Sequence, residues 1–265
     1  MHKILSNKRV EVKALKEAID TDPEHPLRKF MATFVPQESN GKFLQAIKSD
    51  GLSVIAEIKR QSPSSGEIRP IQEPQTLAAK YIQGGASAIS VLTDQQGFGG
   101  RHEDLTTIRK HYPKVPILRK DFIIDPLQIV ETAYLGADAA LLIVAVLGKQ
   151  TGVYLKTCRL FGLDTLVEVH NEEELKIAIH AGADIIGVNN RNLNTFQTDT
   201  AVSIELVNQI PNGICKVSES GIHTPIEAAH MHHRGFDGVL IGEALVRSTD
   251  PELFIKQARS CAVHE

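Results

Sequence analysis

The sequence predicts a (β/α)8 barrel with an N-terminal helical arm, on three observations. From Ser53 onward, eight short runs rich in Val, Ile, Leu and Ala alternate with eight longer amphipathic runs. That is the pattern of parallel strands covered by helices. Four junctions echo one another: Gly85-Ala86-Ser87-Ala88, Gly136-Ala137-Asp138-Ala139, Gly182-Ala183-Asp184-Ile185 and Gly235-Phe236-Asp237-Gly238, at intervals of 51, 46 and 53 residues. Each glycine suits a left-handed helix cap, and each interval holds two strand–helix units, so four echoes make eight units. Third, acids and lysines collect at the C-terminal ends of the apolar runs, where parallel α/β folds bind ligands. A doubly wound open sheet is the structural rival, but it rarely repeats so evenly.

The arm comes first. Leu5, Val12, Leu15 and Ile19 form the apolar stripe of a helix over 4–19, with Lys8, Arg9, Glu11, Lys13 and Lys16 on its other faces. Asp20-Thr21-Asp22-Pro23 ends it. The segment 24–40, with Pro26, Phe30, Phe34 and Pro36, shows no clear period, and a short helix over 42–48 leads into the first strand. Residues 1–50 hold too little apolar material for a core of their own. Residues 1–265 are therefore expected to form one barrel domain with this arm attached.

Strands are predicted at 53–59, 88–92, 117–120, 139–144, 164–169, 184–189, 214–218 and 238–241. Helices are predicted at 75–83, 101–111, 126–135, 149–161, 171–181, 199–209, 225–234 and 251–261. In the first strand Val54, Ala56 and Ile58 share an apolar face, and Ser53, Ile55, Glu57 and Lys59 share the other. Alone, Glu57 and Lys59 read as a solvated pair on a strand wet on one side. Followed by the polar loop Arg60-Gln61-Ser62-Pro63-Ser64-Ser65-Gly66, they read as ligand groups.

The other strand ends add to the set. Lys120 is in phase with Leu118 and Phe122, Glu168 with Leu166, and Glu219 with Cys215 and Val217. Gly187, Asn189 and Arg191 share one face of strand six. One such residue is ordinarily a solvated rim group; three acids and two lysines in phase with inward apolar side chains point to a site. Ser220-Gly221 and Gly242-Glu243 close strands seven and eight, and Glu243 to Leu245 suit the first turn of a short helix. Such turns seat a phosphate in barrel enzymes, with Lys59 as counter-charge, unless they are plain tight turns.

Composition bounds the function. A 42% hydrophobic, 23% charged chain of formal charge −3 gives no electrostatic reason to expect nucleic acid or an anionic membrane as partner. Cys158, Cys215 and Cys261 are far apart and odd in number, which suits a reducing cytoplasm. The N-terminus lacks a signal-peptide core, and the longest apolar run, Ala139 to Leu147, is too short to span a bilayer. His230 and His233 are one turn apart but no acid or Cys converges on them, so the outer face of a helix is expected there rather than a metal site.

Six motifs, each at the end of a different strand, resemble the indole-3-glycerol-phosphate synthase family. They are Val54-Ile55-Ala56-Glu57-Ile58-Lys59-Arg60-Gln61-Ser62-Pro63-Ser64, Leu118-Arg119-Lys120-Asp121-Phe122-Ile123, Leu166-Val167-Glu168-Val169-His170, Ile186-Gly187-Val188-Asn189-Asn190-Arg191-Asn192-Leu193, Ser218-Glu219-Ser220-Gly221-Ile222 and Leu240-Ile241-Gly242-Glu243-Ala244-Leu245. The leading helix resembles that family's own. The resemblance implies a carboxy-lyase of tryptophan biosynthesis that closes the indole ring of 1-(2-carboxyphenylamino)-1-deoxyribulose 5-phosphate. It implies Lys120 as general acid, Glu168 as its partner in dehydration, and Lys59 as a cation for the substrate and a further proton donor. Glu57, Ser62, Phe98, Phe122, Asn189, Arg191 and Glu219 would bind and orient the substrate, and Lys59, Ser220, Gly221, Gly242 and Glu243 the phosphate. No metal or organic cofactor is implied; a monomer is expected, and association with other enzymes of the pathway stays open.

After strand two the chain departs from the family pattern. In Gln96-Gly97-Phe98-Gly99-Gly100-Arg101, Gly97 replaces an aromatic and Arg101 a serine. A thinner apolar wall and a more mobile loop are expected there. Two rival functions remain: another phosphate-binding barrel enzyme, either a Schiff-base aldolase or a sugar-phosphate isomerase, and a barrel that only binds ligand. Lys120 is expected to face Glu57 and Glu168, carboxylates that would keep it charged and favour acid work over Schiff-base chemistry.

Overall fold

The computed structural model describes residues 1–37, 39–62, 66–192, 195 and 197–262. Eight parallel strands form a closed ring: β1 Ser53–Ile58, β2 Ala88–Leu92, β3 Ile117–Lys120, β4 Ala139–Ile143, β5 Asp164–Val169, β6 Ile185–Asn189, β7 Cys215–Glu219 and β8 Gly238–Ile241. Each lies within one residue of its predicted bounds. Strand β1 pairs with β2 on one side and β8 on the other, Ser53 opposite Gly238 and Ile55 opposite Ala88. Closure excludes the open sheet.

Alternate side chains on each strand enter different layers. Ile55, Leu118, Leu166, Val217 and Leu240 fill the barrel interior. Val54, Ala56 and Ile58 pack outward against the helices. Every residue of β1 is buried, so this strand is not wet on one side; burial on both faces is the reason for its near-continuous apolar run. The four echo glycines have φ of 88° (Gly85), 84° (Gly136), 80° (Gly182) and 99° (Gly235), the left-handed region their caps require.

The helices are α1 His2–Thr21, α2 Pro26–Thr33, α3 Lys42–Ile47, α4 Pro74–Gln83, α5 Gln95–Phe98, α6 His102–His111, α7 Pro126–Tyr134, α8 Val144–Leu147, α9 Thr151–Leu160, α10 Glu172–Ala181, α11 Ala201–Leu206, α12 Pro225–His233, α13 Glu243–Arg247 and α14 Pro251–Cys261. The helix expected over 149–161 is preceded by α8 and a 3-10 turn, Gly148–Gln150, and α11 ends in a second such turn, Val207–Gln209. The segment without clear period contains α2, started by Pro26 and capped by the His25 ring. No helix among the described residues is long and apolar enough to cross a membrane.

The arm is part of the barrel core. Phe43 and Ile47 of α3 are fully buried and pack with the interior side chains, and Asp164 of β5 accepts from the Phe43 and Leu44 N–H groups at 2.9 and 3.0 Å. Lys8 of α1, expected on another face, falls in phase with the apolar stripe between Leu5 and Val12 and is only 2% exposed. Its ammonium lies 2.8 Å from Asp121 and 3.0 Å from Asp94, with Glu11 at 2.6 Å.

Candidate active site

The C-terminal ends of the strands open on a cavity of about 1060 Å³, counting the space at its mouth. The structure brings all the expected side chains to it: Glu57, Lys59, Ser62, Phe98, Lys120, Phe122, Glu168, Asn189, Arg191 and Glu219. The expected phosphate seat, Ser220, Gly221, Gly242 and Glu243, lines the same space. Pro63 and Ser64 of the first motif, Ser65 of the polar loop that follows the first strand, and Leu193 of the fourth motif lie outside the described residues.

The lysine at the end of β3 sits between two acids. Lys120 Nζ is 2.9 Å from Glu168 Oε2 and 3.1 Å from Glu219 Oε2. Burial works against its charge, but Glu168, Glu219 and Glu57 outweigh burial and hold its pKa above the usual lysine value. For Glu168 burial is likewise outweighed, by Lys120 and His170, and the carboxyl stays ionised well below the usual range. Glu219 goes the other way. Burial, helped by the charges of Glu168 and Glu57, outweighs Lys120 and pushes it up to about 7. Two carboxylates crowd one ammonium here, and of the two it is Glu219 that is pushed toward protonation.

Glu57 is not the close partner of Lys120 that the sequence suggested. It pairs with Lys59, Oε1 to Nζ 2.9 Å, and Glu219 takes the place beside Lys120. The two lysines thus have separate partners. Two glycines leave room for this. A Cβ on Gly187 would stand 2.1 Å from Glu219 Oε1, and one on Gly242 would stand 2.4 Å from Glu57 Oε1 and 3.0 Å from Lys59 Nζ.

Ser220 has φ 68°, the one positive φ outside glycine among the described residues, and Gly221 follows at 78°. A non-glycine residue rarely adopts this region, and its strain must be held by the surrounding structure. Asn190 Nδ2 holds it, donating to the Ser220 carbonyl at 3.0 Å. Glu243 begins α13, and its carboxylate accepts from Arg247 Nε at 2.9 Å. Asn189 Oδ1 accepts from the Arg191 N–H at 3.0 Å.

Beside Gly97 the apolar wall is made by Phe98, Phe122 and Ile4. Phe98 and Phe122 have ring centroids 6.1 Å apart. Ile4 of α1 lines the cavity, and its Cδ1 lies 3.7 Å from where a Gly97 Cβ would be. The loop is also tied: the Gly97 N–H donates to Asp94 Oδ2 at 2.8 Å, and Asp94 is the acid that Lys8 holds. Arg101 faces a different cleft, with Lys8, Glu11 and His102. His230 accepts from Arg234 Nε at 3.3 Å on α12.

Two contributors escaped the sequence. His170 lies behind Glu168, Nε2 to Oε1 3.3 Å; its signal was present, since it follows Glu168 by two residues, in strand phase. Lys8 carried a signal too, since it falls in the helical phase of Leu5, Val12 and Ile19; its pairing with the distant Asp94 and Asp121 carried none.

The model of the indole-3-glycerol phosphate synthase family matches residues 1–258. The chain is 43% identical over 254 residues to the indole-3-glycerol phosphate synthase of Chlorobium chlorochromatii, covering 94% of this chain and 96% of that one. It is 44% identical over 215 residues to that of Kineococcus radiotolerans, covering 81% and 78%. Among solved structures, 3-hexulose-6-phosphate synthase from Salmonella typhimurium shares the fold, with TM-score 0.63 at 14% identity, covering 80% of this chain and 99% of that one. With a family match over residues 1–258 and relatives above 40% identity covered over more than three quarters of their length, this chain belongs to the indole-3-glycerol phosphate synthase family.

Proposed function

We propose that the cavity carries out the family's ring closure with Lys120, Glu168 and Lys59 as its proton-transfer groups. The reaction converts 1-(2-carboxyphenylamino)-1-deoxyribulose 5-phosphate to indole-3-glycerol phosphate, carbon dioxide and water. The observation that carries this reading is the ammonium of Lys120 held between Glu168 and Glu219 at 2.9 and 3.1 Å. As the ring carbon attacks the ribulose carbonyl, Lys120 gives its proton to the developing oxyanion, a contribution of ~10²–10⁴-fold for a positioned acid. Carbon dioxide leaves and the ring regains its aromaticity. The new hydroxyl then departs as water with a proton from Lys59, while Glu168 takes a proton from the adjacent CH2 carbon.

The remaining groups orient the substrate. Phe98, Phe122 and Ile4 would pack on the anthranilate ring, and Ser62, Asn189 and Arg191 would bind polar groups around it. Glu57 would hold Lys59, and Glu219 would hold Lys120. The Ser220–Gly221 turn, Gly242 and the backbone of Glu243 would seat the phosphate, with Lys59 as counter-charge. A Schiff-base aldolase would need a neutral lysine, and the acids around Lys120 oppose that. The proposal extends to one domain acting as a monomer in the cytoplasm on a phosphorylated small molecule, with neither nucleic acid nor membrane as partner.

The test follows indole-3-glycerol phosphate by its ultraviolet absorbance. Lys120→Ala should lose nearly all turnover and keep most substrate affinity, and borohydride should trap no lysine adduct. A near-normal kcat in that variant, or a trapped adduct, would defeat the assignment.

A further inference from the structure

Behind Glu168 stands a histidine that the steps above do not use. The side chain of His170 is 12% exposed. Its Nε2 lies 3.3 Å from Glu168 Oε1, and its Nδ1 lies 2.9 Å from Glu174 Oε2 in the first turn of α10. Glu174 is itself fixed. Its Oε2 also accepts from the His170 N–H at 2.9 Å, its Oε1 accepts from Asn171 Nδ2 at 3.0 Å, and its N–H donates to Asn171 Oδ1 at 2.9 Å. The start of α10 therefore clamps the imidazole from the side away from the cavity.

We propose that His170 is a positioning residue for the ring-closure reaction: its Nε2–H holds Glu168 Oε1, leaving Oε2 as the oxygen turned to Lys120 and the substrate. The proposal rests on the reading of Glu168 as a proton-transfer group. A glutamate's terminal torsion is broad and soft, so a carboxylate tethered only by Lys120 would swing as the substrate displaced that lysine. A second tether on the other oxygen removes the freedom. The buried Glu168 Oε1 and His170 Nε2 have no aligned hydrogen bond at rest, and at 3.3 Å a small rotation aligns them. Apo sites commonly tighten in this way when substrate binds.

Charge supports the geometry. The titratable groups facing the imidazole are Glu168 from β5 and Glu174 from α10, and beyond Glu168 lie Lys120 and Glu219. Burial disfavours the imidazolium, but hydrogen bonds and charge from Glu168 and Glu174 outweigh it and raise the pKa to about 10. At neutral pH the ring is then a cation with a proton on each nitrogen, and its charge keeps Glu168 ionised.

The experiment compares pH profiles of kcat for His170→Ala, His170→Gln and the parent protein. His170→Ala should lower kcat by about tenfold to a hundredfold, the cost of a misplaced reacting group, with KM within about threefold. Its acidic limb should move up by roughly one pH unit or more, because a carboxylate loses a neighbouring cation. His170→Gln, which keeps a donor and loses the charge, should recover much of kcat while the limb stays displaced. A folded His170→Ala with parental kcat and an unmoved limb overturns the proposal. Should His170→Ala not fold, nuclear magnetic resonance of the His170 ring in the intact protein decides: double protonation at neutral pH supports it, and titration near the ordinary 6.5 overturns it. Glu168→Gln separates the two readings. If it stays active, the assignment of Glu168 has failed and the His170 proposal with it; if it is inactive while His170→Ala is unaffected, only the His170 proposal has failed.

Discussion

Gly187 on β6 and Glu219 on β7 share one space: a methyl group at 187 would stand 2.1 Å from Glu219 Oε1 and 3.1 Å from Leu166. The strands pair with Gly187 opposite Val217 and Asn189 opposite Glu219. A side chain at 187 would therefore enter the layer through which Glu219 reaches Lys120. The glycine is there for its neighbour's carboxylate, not for its own backbone.

Gly187→Ala should push Glu219 away from Lys120. Overpacking of this kind costs about 1–3 kcal/mol, and kcat should fall at least about tenfold as the lysine loses one support. Steady-state kinetics beside a urea melt separates the two effects. Parental kcat in a stably folded variant would mean Glu219 does not position Lys120.

Glu219→Gln should change how stability depends on pH. The folded pKa of Glu219 is raised from 4.5 to about 7. The stability this group contributes is thus fully present below pH 4.5 and is lost as pH rises through 7. The neutral variant lacks that loss. Between pH 5 and 8 its stability relative to the parent should improve by on the order of 1 kcal/mol or more. Urea midpoints at the two pH values check this, and a constant difference would place the proton elsewhere.

Lys8→Met should leave Asp94 and Asp121 buried without their shared cation. Asp121 is held down at about 2: burial pushes it up, but Arg119 and Lys8 outweigh burial. Removing one partner of a buried pair costs roughly 3–5 kcal/mol. KM should also rise, because Asp94 ties the loop of Phe98 and Asp121 accepts from the Phe122 N–H at 2.8 Å. Chemical denaturation and initial rates would show both, and a loss below about 1 kcal/mol would show that Lys8 does not hold Asp94 and Asp121 in place.

Ile4→Ala should weaken substrate binding with little change in kcat. Shortening the side chain beside Gly97 removes apolar surface facing the anthranilate ring, and KM should rise about threefold to tenfold. An unchanged KM would show that α1 only covers the mouth.

The expected site residues reached one cavity for a simple reason. Once the strands are known to close into a barrel, position at a C-terminal end plus phase with an inward apolar neighbour places a side chain at the mouth. Lys120 follows Leu118, Glu168 follows Leu166 and Glu219 follows Val217, all by two residues, and these apolar neighbours fill the interior. His170 has the same phase, two residues after Glu168, but lies behind that carboxylate rather than at the mouth. The pairing of charges was not legible. That Glu57 takes Lys59 while Glu219 takes Lys120 depends on distances across the ring, as does the room made by Gly187 and Gly242.

By itself the sequence determined the barrel, the bounds of its strands and the set of groups at its mouth, because two-residue and helical periods are local properties of a chain. Only the tertiary structure decided that Lys8 meets Asp94 and Asp121, that Ile4 stands beside Gly97, and which acid holds which lysine. Those outcomes belong to groups far apart in the chain, and burial and Coulomb attraction act through distance in space, which the order of residues does not record.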